Sequence, residues 1–173
     1  MDETTVTPGQ RAGGVVRGLL GAVSLVGGLT WILLNLDAPR PVSDLIVGLV
    51  LAAGGLVLLM PHRVDLPGRA TAAATAGAAI GGTLAGSVAT TITTGGAFVY
   101  VASHGWPHAW LARGATAPDP VAARVAANQS SWQADAVNLV ADLYFWALVG
   151  LLLLAAFVLI RRTGARRQAV LHP

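Results

Sequence analysis

The sequence predicts an all-α integral membrane protein, a bundle of four membrane-spanning helices with a short amphipathic helix in the outer loop between the third and fourth spans. Hydrophobic residues make up 54% of the 173 residues and charged residues only 11%, whereas a soluble domain carries about 25% charged residues. Four stretches of roughly the length that crosses a bilayer, about 20 apolar residues, contain no Asp, Glu, Lys or Arg. This composition argues against a soluble enzyme, a disordered chain and a collagen-like fibre.

The four spans and their connections form one membrane domain over the whole chain. A proline cannot continue the hydrogen bonding of a helix. We therefore expect the first span to end at Pro39 and Pro41, and the second span to end at Pro61 and Pro67. The predicted segments are a polar cytoplasmic tail at 1–13, spans at 14–36, 44–61, 70–103 and 135–160, an outer loop at 104–134 and a basic cytoplasmic tail at 161–173.

The arginines predict the orientation, because the cytoplasmic loops of membrane proteins carry an excess of basic residues. With the N-terminus inside, eight arginines lie on the cytoplasmic side and three (Arg40, Arg113 and Arg124) lie outside. All 11 basic residues are Arg, a bias that favours a G+C-rich bacterial genome. We therefore expect a multi-pass protein of the bacterial cytoplasmic (inner) membrane with both termini in the cytoplasm.

The third span is unusual in length and composition. Its 34 residues without charge, 70–103, would form a helix of about 51 Å at 1.5 Å per residue. We therefore expect the helix either to tilt or to protrude into the outer loop around Gly95 and Gly96. Nearly every residue from 70 to 97 is Ala, Gly, Thr or Ser, a composition that favours contact with protein over contact with lipid.

Small residues at helical spacing mark candidate packing faces, because they let helix backbones approach closely in a membrane. Such a face indicates either an interface between subunits or ordinary packing within one bundle. We favour ordinary packing for the first two helices, and we expect the third helix, small on opposite faces, to have neighbours on both sides. The candidate packing glycines are Gly14, Gly18 and Gly21 in the first span and Gly77, Gly81, Gly82 and Gly86 in the third.

Four hydroxyl residues of the third span, Thr83, Ser87, Thr90 and Thr94, are spaced to share one face of a helix. Such a row could line a path for water, an ion or a small polar solute. Two other interpretations remain open. Each hydroxyl can bond to the carbonyl one turn earlier, or it can join neighbouring helices at about 0.6 kcal/mol per contact.

Polar residues before the fourth span form a candidate binding group on the outer side. Asp135, Asn138 and Asp142 fall on one helix face. Asp142 is either a hydrated cap at the membrane boundary or a buried carboxylate with a binding or proton-handling role. Its candidate partners are His104, His108 and Arg124.

The sequence predicts no metal site and no cofactor. His104 and His108 are four residues apart, but Gly105 and Pro107 between them disfavour the regular helix that a shared metal would need. The chain has no cysteine, which excludes thiolate metal sites and iron–sulfur clusters. No histidine lies deep in a span, which argues against a haem held by two histidines.

The expected partners are the lipid bilayer and other membrane subunits or further copies of the chain. We expect no nucleic-acid partner, because the arginines cluster at the ends of segments and not along one basic face. The favoured function is a non-catalytic accessory or scaffolding subunit of a larger membrane complex. The alternatives are a small transporter or channel component with the hydroxyl row as its path, and an enzyme acting on lipid at the outer face through His104, His108 and Asp135.

Overall fold

The computed structural model describes residues 8–37, 41–60, 66–96 and 98–171, with side chains from residue 12 to residue 163. The polar tail before residue 8 and the connection prolines Pro39 and Pro61 lie outside the described residues. The elements are α1 (Pro8–Leu34), α2 (Pro41–Leu59), α3 (Gly68–Gly86), β1 (Thr90–Gly95), β2 (Val99–His104), β3 (Leu111–Thr116), α4 (Pro120–Gln129), β4 (Gln133–Ala134) and α5 (Ala136–Leu171).

The protein is mostly helical, and three of its described helices are long and apolar enough to cross a membrane. These segments are Ala12–Leu34, Val42–Leu59 and Ala136–Thr163. The Ala-, Gly- and Thr-rich helix α3 is not among the three. The membrane class predicted from composition therefore stands, while the four-helix bundle and the side of each terminus stay predictions.

The chain divides into two compact units. One comprises Met1–Ala74 with Leu148–Pro173, and the other comprises Thr75–Ala147. The first holds α1, α2 and the C-terminal part of α5, and the second holds the strands, α4, most of α3 and the start of α5.

In the first unit, glycines bring helices α1 and α2 into backbone contact. A Cβ on Gly28 would stand 2.5 Å from the amide nitrogen of Ala52, and one on Gly55 would stand 2.5 Å from that of Leu25. Gly21 also lies in this contact, opposite Gly55. Small residues thus serve ordinary packing within the chain here, where dispersion between close backbones holds helices together in lipid.

Not every predicted packing glycine takes part. Around a Cβ placed on Gly14 or Gly18, no atom of the described residues lies within 4 Å beyond the backbone of α1 itself. A different glycine, Gly54 of α2, is in close contact, because the buried side chain of Leu148 packs against it.

The second unit contains an antiparallel four-stranded sheet in the order β1-β2-β3-β4. Thr90 pairs with His104 between β1 and β2, and Leu111 pairs with Ala134 between β3 and β4. Helix α4 packs on β2 and β3 and buries Ala123 and Ala127.

The local sequence explains where α4 begins. Asp119 accepts a hydrogen bond at 2.9 Å from the backbone N–H of Ala122, the usual role of an N-cap carboxylate. Pro120 follows at the first helical position, where its missing N–H costs nothing. The short helix predicted for this region is therefore present, and its small side chains face the sheet.

The sheet corrects the prediction of a helical third span over 70–103 and a loop over 104–134. Helix α3 ends at Gly86, and residues 90–95 and 99–104 are paired strands. The reason is a change in side chains, because Thr, Ile, Val and Tyr replace Ala and Gly after residue 89 and favour extended backbone. Gly96 and Phe98, which has a φ of 53°, lie in the turn between the two strands.

Candidate functional site

The candidate site lies in the second unit, where the segment 105–110 is hydrogen-bonded along one face of the first three turns of α5. We call this segment the docking loop. The backbone N–H of Asp135 donates to the carbonyl of Trp110 at 2.7 Å. One turn further, the side-chain amide of Asn138 donates to the carbonyl of Ala109 at 3.0 Å.

The pairing continues along the helix in reverse sequence order. Asp142 accepts from the backbone N–H of His108 at 2.9 Å, and the indole N–H of Trp146 donates to the carbonyl of Trp106 at 3.3 Å. The helix positions advance by three or four residues at each step, so they lie on one face. In each of these four hydrogen bonds, the docking-loop residue contributes a backbone carbonyl or a backbone N–H.

Asp135 has a structural role at the start of α5. Its Oδ1 accepts the backbone N–H groups of Val137 and Asn138 at 2.9 and 3.1 Å, which are donors that a helix N-terminus leaves without partners. Its Oδ2 accepts from the side-chain amide of Asn138 at 3.0 Å. The carboxylate therefore acts as a helix cap that also orients Asn138 toward the docking loop.

Asp142 is the most unusual residue of the site, because its side chain is 0% exposed. Its Oδ1 accepts the His108 backbone N–H and lies 3.2 Å from the Nδ1 of the same residue. Its Oδ2 is buried and has no hydrogen-bond partner among the described residues. A buried carboxylate oxygen without a partner is costly, so the two bonds from His108 are the ones that stabilise this group.

Three aromatic rings pack together where Trp106 of the docking loop meets Phe145 and Trp146 of α5. Trp106 lies edge-on to Phe145 at 5.7 Å between ring centroids and 5.6 Å from Trp146. Helix α3 makes room for them with two glycines, since a Cβ on Gly82 would overlap the Trp146 indole and one on Gly86 would stand 2.5 Å from the Trp106 carbonyl oxygen. These two glycines are therefore in contact with the site.

The two histidines of the loop region have different environments. The Nδ1 of His104 lies 3.1 Å from the carbonyl of Ser87 and 3.3 Å from the hydroxyl of Thr90, and its ring meets Trp132 edge-on at 5.0 Å. Among the described residues, the hydrogen-bond partner of Asp142 is His108, not His104 or Arg124.

The predicted hydroxyl row does not form one helical face, because α3 ends at Gly86, before the last three members of the row. Thr83 is buried on α3, and its hydroxyl has no partner among the described residues. Ser87 bonds to the carbonyl of Leu84 at 2.6 Å, as the local back-bonding interpretation expects. Thr90 and Thr94 lie on strand β1.

The remaining predicted packing glycines of α3 differ from Gly82 and Gly86. A Cβ added to Gly77 or Gly81 would have no atom of the described chain within 4 Å beyond the backbone of α3 itself. Gly82 and Gly86 are therefore in close contact with other described elements, whereas Gly77 and Gly81 are not.

The sequence offered His108 as one candidate partner of Asp142, but nothing in it pointed to the pairing of the whole docking loop with α5. A usable signal was present for the strands, since the run TTITTGG places β-branched residues before a glycine pair. No comparable pattern marks residues 105–110, whose role depends on backbone groups that every residue carries.

The chemistry open to the site is limited. Within the described ranges, no three His, Cys, Asp or Glu side chains come together as metal ligands would. Asp135 is engaged in capping, and the buried Asp142 is hydrogen-bonded to His108. No protein-family model, curated protein or solved structure matches the chain.

Proposed function

We propose that the protein is a non-catalytic accessory or scaffolding subunit of a larger complex in the bacterial inner membrane. In this proposal α1, α2, α3 and α5 cross the membrane, both termini are cytoplasmic, and the sheet lies outside. The observation that carries the proposal is the open glycine face of α3, formed by Gly77 and Gly81.

Helix α3 has the length of a span but not the surface of one. Its 19 residues extend about 28 Å at 1.5 Å per residue, close to the thickness of a bilayer core. Thr83 and Gly86 are its buried residues, and seven of its 16 Ala, Gly and Thr residues are exposed, Gly77 and Gly81 among them. Small residues drive helix association in membranes, and a helix of another subunit or of a second copy would cover this face.

The bonding of the polar residues also favours a scaffold over an enzyme. An enzyme acting on lipid through His104, His108 and Asp135 would need their side chains free to reach a substrate. Asp135 instead caps α5, and His108 contacts the enclosed Asp142.

Substitutions on the open face test the proposal. We expect the protein in mild detergent to purify as a complex of fixed composition, and we expect Gly81→Leu to release the partner chains without lowering the thermal midpoint. Gly27→Leu is the matched control, because this glycine of α1 also has open space around its Cβ position. A wild-type monomer, or a complex that survives Gly81→Leu, would refute the proposed role.

The crossing of α5 has a separate test, which the absence of native cysteine makes simple. We expect Ser131→Cys to react with a membrane-impermeant maleimide in spheroplasts whose inner membrane is intact. Thr163→Cys should react only after lysis. Both side chains are exposed, so the reverse pattern of labelling would contradict the proposed topology.

A further inference from the structure

A cleft of about 310 Å³ lies in the second unit beside the sheet. Val101 and Gly114 line it from strands β2 and β3, and Ser131 and Gln133 line it from the segment that follows α4. Its volume is at the lower end of the range typical of small-ligand sites, about 300–1,000 Å³. Arg113 also lines this cleft and supplies its charge.

Neutral groups hold the Arg113 guanidinium in place. Its Nη1 donates to the carbonyl of Asn128 at 3.3 Å and its Nη2 donates to the Asn128 side-chain oxygen at 3.0 Å. Its Cζ lies 4.5 Å from the centre of the Trp132 ring, the geometry of a cation–π contact. Trp132 in turn meets His104 edge-on. The guanidinium is therefore fixed in position before any ligand arrives.

This fixed charge is not neutralised by an ion pair with any described carboxylate. Among the residues that the structure describes, no carboxylate forms an ion pair with Arg113, whereas Asp142 pairs with His108. The Nε of Arg113 is buried and donates to no acceptor among the described residues. None of the described residues that line the cleft is acidic, while Ser131 and Gln133 add a hydroxyl and an amide that can donate hydrogen bonds.

We infer that this cleft binds a small anionic ligand through an oxyanion, such as a phosphate group, with Arg113 as the charged contact. A planar guanidinium forms its strongest hydrogen bonds with phosphate and carboxylate oxygens. The oxyanion could belong to a free solute or to the headgroup of an anionic lipid. The inference concerns a site separate from the glycine face of α3 and does not depend on the proposed function.

The thermal midpoint of the purified protein tests this inference, because a ligand that binds only the folded state raises it. One arm adds inorganic phosphate to protein in a detergent with a neutral headgroup, against sodium chloride at equal ionic strength. The other compares lipid nanodiscs containing phosphatidylglycerol with nanodiscs of phosphatidylcholine alone. A rise in the first arm indicates a free solute, and a rise confined to the second indicates a lipid headgroup.

Variants assign the effect to the cleft. Arg113→Gln should weaken binding about tenfold or more, the loss expected for a charge-assisted contact, and Arg113→Lys should retain part of the shift. Arg124→Gln removes the same charge from the exposed face of α4 and should bind like the wild type. Equal shifts in Arg113→Gln and the wild type, or no shift in either arm, would overturn the inference.

Discussion

The backbone N–H of His108 donates to the buried carboxylate of Asp142 at 2.9 Å and joins residues 34 positions apart in the chain. The side chain of the same histidine lies 3.2 Å from the same oxygen. A loop residue thus contacts one oxygen of this carboxylate from two directions, on a stretch of helix that is otherwise apolar. Loss of either partner would leave a buried polar group without its bond.

The first prediction concerns the carboxylate itself. Asp142→Ala should lower the free energy of unfolding by about 1–3 kcal/mol, because the N–H of His108 loses its acceptor. Asp142→Asn keeps an oxygen in place and should cost less. Thermal unfolding followed by tryptophan fluorescence measures both variants. Asp44→Asn, near the start of α2, is a control for the loss of one negative charge, and an equal effect of all three variants would contradict the prediction.

The second prediction compares two adjacent glycines of α3. Gly82→Ala should destabilise the fold by about 1–3 kcal/mol, since its Cβ would overlap the Trp146 indole and force the ring to move. Gly81→Ala meets open space and should be neutral or stabilise the helix by up to about 1 kcal/mol. The two thermal midpoints, measured in the same detergent, should therefore move apart. If Gly82→Ala is as stable as Gly81→Ala, the close approach of α3 to Trp146 is wrong.

The third prediction makes the same comparison in the first unit. Gly28→Ala should cost about 1–3 kcal/mol, because its Cβ would stand 2.5 Å from the Ala52 amide nitrogen and push α1 away from α2. Gly27→Ala, one position earlier, has no described atom within 4 Å and serves as the control. Heat-induced loss of folded protein, measured by size-exclusion chromatography, should separate the two variants, and identical profiles would refute the α1–α2 contact.

The fourth prediction concerns the docking loop. Gly105 has a φ of +127°, and a Cβ there would overlap the carbonyl oxygen of His108. Gly105→Ala should therefore disturb the loop and lower stability by at least about 1 kcal/mol. Gly96→Ala lies in the turn between β1 and β2 with open space around it and should change little. A wild-type midpoint for Gly105→Ala would show that the loop conformation is not needed for the fold.

Length and apolar composition were enough to predict α1, α2 and the membrane part of α5. These signals are strong because a span needs many consecutive apolar residues and ends at charges or prolines. The grouping of Asp135, Asn138 and Asp142 on one face also followed from helical spacing alone. The structure adds that this face binds a loop, and that His108 is the residue that meets Asp142.

The sheet was missed for a physical reason. Residues 90–104 carry no charge, so a rule based on charge-free length assigns them to a membrane helix. Their Thr, Ile and Val side chains indicated strands instead, but the length rule took precedence over this local preference. The cleft at Arg113 was beyond reach as well, because Arg113 and Trp132 come together only through the pairing of β3 with β4.

The docking loop also determines the rotation of the start of α5 about its own axis. Each residue of a helix turns about 100° from the one before it, so a face held at Asn138, Asp142 and Trp146 fixes the direction of every other side chain in the first three turns of α5. Insertion of one residue between Asn138 and Asp142 would turn Asp142 and Trp146 by that angle and separate them from their loop partners. A loop of six residues, 105–110, therefore serves as the angular reference for the first three turns of this helix.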